Sequence, residues 1–285
     1  MTFVNRSCII PANLKNKEHA MNTRIGNAIL RTLSSIALLL AGTTSVHADL
    51  LVYEGFSYAV TNDCGSGNAL TNGYGWAQGS HWTLDNSKDV MVVSANSLAF
   101  GNVVTTSNRF EVNGSVGRYA NRSFANVINS SVSDVIWGGV VMKTYTSSKT
   151  GRTTRFKLND GGTTQFYVFA DSMLTIVVGG GSATQVNTGI ASGSSTRFYL
   201  FKIDLSGAAP VADLWISPAD FSSEAALGTP SVTITNIGSS YASCSLGASG
   251  GNPGLYDEIR IGTTLEDAWL TLPPVPPLAT IIVVR

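Results

Sequence analysis

From Leu50 onward the chain is a succession of short segments in which apolar and polar residues alternate, each closed by a run of Gly, Asn, Ser or Asp. That two-residue period marks half-buried β-strands, and no stretch after residue 48 sustains the longer period of a helix. Arg197 to Leu205 is the clearest case: Tyr199, Phe201, Ile203 and Leu205 share one face, and Phe198, Leu200, Lys202 and Asp204 the other. Parallel α/β folds need crossover helices and are excluded by their lack. A series of roughly a dozen such strands predicts an all-β chain of two packed antiparallel sheets.

The series opens with Leu50 to Phe56, continues through Val90 to Ser94, Ser97 to Phe100 and Gly117 to Phe124, and lengthens at Val135 to Thr146. In the last of these, Gly138 and Gly139 point to a bulge or a close backbone approach. Thr154 to Leu158 and Gln165 to Ala170 flank Asn159-Asp160-Gly161-Gly162, the strongest hairpin signal in the chain. Met173 to Val178, Ala212 to Ser217 and Ser231 to Ile237 follow, then a Gly/Ser loop containing Cys244, then LYDEIRIG from Leu255 to Gly262. Strict alternation there puts Leu255, Asp257, Ile259 and Ile261 on one side and Tyr256, Glu258 and Arg260 on the other. Asp257 is therefore expected on the apolar side. A carboxylate buried alone is costly, so Asp257 is expected to accept hydrogen bonds from nearby backbone or from an arginine such as Arg118 or Arg122, locking the end of the sheet.

Composition bears on address and partners. Only 13% of the 285 residues are charged, and 29 are Gly, which suits a rigid extracellular β-protein. Five of the 18 basic groups and one of the 18 acidic groups lie in the first 48 residues, leaving 13 against 17. No basic patch interleaved with aromatics appears, which argues against nucleic acid as partner. Met21, Arg24 and Arg31 precede the apolar run Ile36 to Gly42 and then Val46-His47-Ala48, the form of a secretory signal cleaved after Ala48. Residues 1–20 read as an extension upstream of a start at Met21, residues 21–48 as the signal, and 49–270 as the β-sandwich. Residues 271–285 read as a Pro-rich linker with a short tail, Leu278 to Val284 and Arg285, too short to cross a membrane. The chain is accordingly expected at the cell surface or secreted.

Loss of Cys8 with the leader leaves Cys64 and Cys244 as an even pair in an oxidising compartment, where a disulfide is expected. Two separate thiols are the alternative, because sequence does not bring their Cα atoms within range. His81 is the one histidine after the signal, too little material for a catalytic triad or a multi-histidine metal site. A glycosidase needs two carboxylates facing across a groove, whereas Asp257 and Glu258, as strand neighbours, would face opposite sides. No catalytic residue is assigned. Asp63, Asp85, Asp89, Asp160 and Asp171 lie at loops or strand ends, where they either cap turns or ligate calcium; Asp63 and Asp85 are the metal candidates. Tyr74, Trp76 and Trp82 stand in a Gly/Asn/Ser-rich loop region, where rings either anchor the loop or stack on a sugar, and they are the ligand-binding candidates. Trp137 and Trp215 read as core, and Trp269 as closing the domain.

The combination of LVYEGF, the Gly-rich aromatic loop to Trp82, FKLNDGG, FYLFKIDL, ADLWISP and YDEIRIGTTLEDAW resembles bacterial secreted proteins with a concanavalin A-like lectin or LamG-like jelly-roll domain. It is similar in particular to the group that often carries a C-terminal PEP-type sorting signal. The resemblance covers residues 50–269. It implies a curved jelly-roll sandwich with first and last strands adjacent, and a closing strand with an acidic pair before a basic residue, matched here by Asp257, Glu258 and Arg260. Related lectin-like folds bind glycans or structural calcium through loops at the sheet edges, although no complete calcium-binding pattern stands in this chain. The tail departs from the sorting signal in reading PPVPP where the motif has Pro-Glu-Pro. The function implied is noncatalytic binding of extracellular polysaccharide or matrix, the alternatives being a structural envelope component and a polysaccharide-active lyase or hydrolase.

Overall fold

The computed structural model describes residues 49–60, 70–85, 90–103, 105, 108–113, 118–144, 153–171, 175–249 and 253–270. The upstream extension, the signal segment, the C-terminal tail, Asp63 and Cys64 lie outside the described residues. In chain order the strands are β1 (Leu50–Glu54), β2 (Thr83–Leu84), β3 (Val90–Ala95), β4 (Asn108–Asn113), β5 (Arg118–Asn129), β6 (Val135–Thr144), β7 (Thr153–Asp160), β8 (Thr163–Asp171), β9 (Thr175–Gly180), β10 (Ala183–Ala191), β11 (Arg197–Asp204), β12 (Val211–Ile216), β13 (Val232–Thr235), β14 (Ser240–Ala248) and β15 (Gly254–Gly262). They form two antiparallel sheets. The first has the order β13-β12-β11-β6-β15-β4-β3, with β1 paired to β15, and the second has the order β10-β9-β8-β7-β14-β5-β2. The chain is all-β, and its first and last strands are adjacent, as expected.

Alternation builds the interior. Even-numbered residues of β7 and β8, such as Phe156, Leu158, Phe166 and Val168, meet Phe201 and Ile203 of β11 and Val140 of β6 in one core between the sheets. Each such side chain contributes roughly 1.5–3 kcal/mol through its removal from water. Tyr256 ties the two sheets across this core: its hydroxyl donates to the Gly247 carbonyl and accepts the Arg155 N–H at 3.1 Å. The Gly/Ser segment around Cys244, expected as a loop, is instead β14, paired to β5 and β7 in the middle of the second sheet. Tyr241, Cys244 and Leu246 face the core, and the outward positions are Ser243, Ser245 and Gly247. Cys244 carries a free, fully buried thiol, and Cys64, its expected partner, lies outside the described residues; the inward direction of its strand position aims the sulfur into the core.

A second apolar layer lies on the outer face of the first sheet. Trp137 and Trp215 stack at 5.7 Å, and Phe198 meets Trp269 edge-on at 4.3 Å. Leu98, Phe221 and Leu227 cover them from connecting segments. Ser97 to Phe100, expected as a strand, belongs to this cover. The Leu98 N–H is bonded to the Asp257 carboxylate at 2.8 Å and not to a strand ladder.

The closing strand departs from simple alternation. Between Asp257 and Arg260 the register against β6 shifts by one residue, and Glu258 has φ 48°, so β15 carries a bulge. Tyr256, Ile259 and Ile261 consequently enter the core between the sheets, while Leu255 joins the outer layer. The expectation that Leu255, Asp257, Ile259 and Ile261 share a face is therefore corrected: the bulge reverses the parity halfway. It sits where the edge partner of β15 changes, from β4 at Gly254–Tyr256 to β1 at Ile259–Gly262. The Gly138–Gly139 pair opposite is a close approach rather than a bulge, since β6 keeps unbroken register with β11. A Cβ on Gly138 would stand 2.6 Å from the Phe201 ring and 2.8 Å from the Arg260 carbonyl oxygen.

Candidate functional site

The outward face of the second sheet holds a cleft of about 570 Å³. Its floor is β14, where the small outward residues Ser243 and Ser245 lie low between β5 and β7. Their neighbours across the sheet are taller. Gly247 stands between Tyr119 and Arg155, and Ser245 between Asn121 and Lys157. On β8, Phe169 lies opposite Arg155 and Tyr167 opposite Lys157. Two rows of side chains thus cross four strands, and each row has a cation in it.

The floor is a hydrogen-bonded relay. The Asn159 side-chain amide donates to the Ser245 hydroxyl at 2.6 Å, Ser245 donates to the Asn121 carbonyl oxygen, and the Asn121 amide donates to Asp85 at the rim. His81 and Thr83 complete the wall formed by the loop before β2. These polar groups are fixed in direction before any ligand arrives, which lowers the ordering cost of binding.

The cations are set between aromatic faces. The Lys157 ammonium lies 3.7 Å from the centroid of the Tyr119 ring and 5.8 Å from that of Phe169. The Arg155 guanidinium lies 5.0 Å from Phe169 and 5.8 Å from Tyr119. Cation–π attraction of this kind holds long side chains upright. Arg155 also donates to Thr153 Oγ1 at 2.6 Å and to the Tyr119 hydroxyl at 2.9 Å. Tyr167 and Phe169 stack at 4.3 Å beside them.

Of the site residues singled out in the sequence, His81 and Asp85 border the cleft, and the other described ones are placed elsewhere. Trp76 and Trp82 are buried, pack against each other at 5.4 Å, and belong to the core with Phe56, Phe110 and Phe124. Their indole N–H groups donate to the Tyr53 carbonyl at 3.0 Å and to the Glu54 carboxylate at 3.2 Å. Neither can stack on a ligand, and the ligand-binding assignment is corrected for both: the hydrogen-bonding carbonyl and carboxylate of β1 draw the rings inward. Tyr74 is half-exposed, at 53%, and its backbone bridges Tyr53, away from the cleft. Asp85 is exposed at the cleft rim and accepts from the Asn121 side chain on β5, a contact across the sheet and not a turn cap. Among the described residues no three side chains of His, Cys, Asp or Glu converge as a metal site requires.

Arg122 is not the partner of Asp257. It is buried, and its guanidinium meets Glu54 at 2.5 Å, the Asn72 carbonyl at 2.7 Å and the Thr71 carbonyl at 2.8 Å. Tyr58 donates to the same Glu54 oxygen at 2.7 Å. Burial raises the Glu54 carboxyl above its ordinary value, with Arg122 acting against the shift. The side chain of Arg118, which opens β5, falls outside the described residues. Asp257 is held by backbone, as one branch of the expectation had it, and its other oxygen has no hydrogen-bond partner among the described residues. Burial, and then the charge of Glu258, push its carboxyl up to about 9. The same bulge that reverses parity brings Asp257 and Glu258 near one another, against the expectation that they face apart. Arg260 pairs with Glu258 at 3.2 Å and lies 5.2 Å from the Trp269 ring. All three are sealed beneath the outer apolar layer, where no substrate reaches them.

The cleft residues escaped notice because Tyr119, Lys157 and Ser245 come from strands far apart in sequence. One signal was available. Tyr167 and Phe169 occupy the same alternation as Arg155 and Lys157, so aromatic rings stand on the polar face of the hairpin, where a purely solvated face has no use for them.

No family model matches the chain, and no curated protein matches it. Solved structures align with it weakly. The metal-free carbohydrate recognition domain of Emp46p is 8% identical over 64% of this chain and 88% of that one, with a TM-score of 0.41. Lectin II from Ulex europaeus is 10% identical over 60% and 92%, with a TM-score of 0.37. Peanut lectin with a 9mer peptide is 10% identical over 61% and 97%, with a TM-score of 0.33.

Proposed function

We propose that the protein is a secreted or surface-held, noncatalytic β-sandwich that binds extracellular polysaccharide or matrix through the open face of its second sheet. The observation that carries this reading is the cleft itself: a hydrogen-bonding floor of Asn and Ser side chains beside half-buried aromatic rings, the combination that sugar hydroxyls and the apolar faces of sugar rings require. Asp85 is the one carboxylate among the described lining residues. A hydrolase acting here would lack the second carboxylate of a facing pair. The leader read at 21–48 supports export, with cleavage after Ala48 and the tail 271–285 as a remnant of a sorting signal.

Affinity electrophoresis of the full chain through gels containing soluble polysaccharides tests the proposal. Retardation by at least one polymer is expected, weakened in Asn121→Ala and Ser245→Ala variants that keep their melting temperature. No retardation by any polymer would overturn it and leave a purely structural envelope component. Terminal sequencing of the exported protein tests the cleavage at Ala48.

A further inference from the structure

Four described basic residues are neutralised by carboxylates: Arg109 by Glu111, Arg122 by Glu54, Lys202 by Glu224 and Arg260 by Glu258. Arg155 and Lys157 have no such partner among the described residues. The acceptors of Arg155 are all neutral, the Thr153, Tyr119 and Ser249 hydroxyls, and Lys157 faces aromatic rings. Hydroxyls and π faces orient a cation without cancelling its charge. Two uncompensated charges two residues apart on the same face of β7, in a chain that is acidic beyond residue 48, form a local field opposite in sign to the net charge of residues 49–285.

The two groups are also ready to act. Each is half-buried and gripped between Tyr119 and Phe169, so little rotamer freedom is lost when an anion docks. Lys157 borders the cleft, which runs along β14 past Ser245 to Ser243, and Arg155 stands at its end over Gly247, bonded to the Tyr119 hydroxyl. The outward row of β14 from Ser243 to Gly247 spans about 14 Å by strand rise, an extended seat suited to a chain of sugars more than to one ring.

We infer that this face takes an anionic polysaccharide, with the Arg155 guanidinium and the Lys157 ammonium donating to the carboxylate or sulfate groups of successive residues and the Asn121–Ser245–Asn159 floor meeting its hydroxyls. The inference rests on the proposed polysaccharide-binding role and narrows its ligand. Guanidinium matches the planar carboxylate in two-point contact, while ammonium binds either oxyanion as a point charge.

The test uses the full chain in affinity electrophoresis with polygalacturonate, dextran sulfate and neutral dextran, each at low and high salt, and flotation with phosphatidylglycerol vesicles. Binding to polygalacturonate or dextran sulfate at least tenfold tighter than to dextran, and weakened at high salt, supports the inference. Each of Arg155→Gln and Lys157→Gln should then lose about fivefold or more, and Lys202→Gln, on the other sheet, should lose nothing; retained circular dichroism shows that the variants fold. Preference for polygalacturonate identifies carboxylate, and preference for dextran sulfate identifies sulfate. Equal binding to neutral dextran with no effect of the two variants overturns the inference and leaves the broader proposal standing. Failure of every polymer overturns both. Binding to the vesicles with none to either anionic polymer overturns it in favour of a lipid surface.

Discussion

Glu54 and Arg122 meet at 2.5 Å across 68 positions of sequence, both withdrawn from water. The pair fastens β1 to β5, and through the Thr71 and Asn72 carbonyls it holds the loop that carries Trp76 and Trp82. Arg122→Met would strand a buried carboxylate and free two carbonyl groups. A loss of about 3 kcal/mol in urea unfolding is expected. The double variant Glu54→Gln/Arg122→Met should recover a substantial part of it, since the stranded charge is gone.

Asp257 makes stability depend on pH. Its folded carboxyl titrates near 9, against an ordinary value of 3.8, so between those limits the unfolded chain ionises while the folded one keeps its proton. The stabilisation is fully present below the unfolded value and is lost as pH rises through the folded one, by up to about 1.4 kcal/mol per pH unit. Asp257→Asn keeps an acceptor for the Leu98 N–H and removes the titration. Its stability should equal that of the parent near pH 4 and exceed it increasingly towards pH 8. A difference that stays constant over urea titrations at pH 4, 6 and 8 would contradict this account.

Much of the fold was legible because alternation survives in the sequence wherever one face of a strand meets the core. β11 and the β7–β8 hairpin appear at close to their true limits for that reason. β14 was hidden because its outward positions are Ser and Gly, which read as loop, although Tyr241, Cys244 and Leu246 keep the inward pattern. The bulge in β15 left no composition signal, since Glu258 is a residue that seldom adopts positive φ. Trp76 and Trp82 look available in a polar loop, and only the distant Glu54 and Tyr53 reveal why they turn inward.

Gly139 marks where three layers converge. A Cβ there would overlap the Tyr199 carbonyl oxygen and stand 3.1 Å from the Trp269 ring. Gly139→Ala is expected to cost about 1–3 kcal/mol through overpacking, read as a lowered melting temperature. Gly161→Ala, where added volume meets nothing within 4 Å but φ is +53°, should cost about 1 kcal/mol through backbone strain alone.

Cys244 is fully buried, and burial raises its thiol well above the ordinary range. Iodoacetamide should leave it unmodified in the native protein and alkylate it completely in urea without added reductant. Peptide mapping reads both states, and resistance in urea until a reductant is added would reveal a disulfide.

The position of β15 has a consequence for how the chain is made. β1 pairs only with β15, and the β3–β4 hairpin joins the first sheet only through it. During synthesis these strands emerge long before residue 254, and although β3 and β4 pair with each other, neither the hairpin nor β1 has a place in the sheet until β15 is complete. The interior of the domain cannot be sealed one segment at a time. A chain ending before Gly254 would leave β1 without its strand partner and the β3–β4 hairpin detached from the sheet, and the ribosome delivers the strand that joins them late.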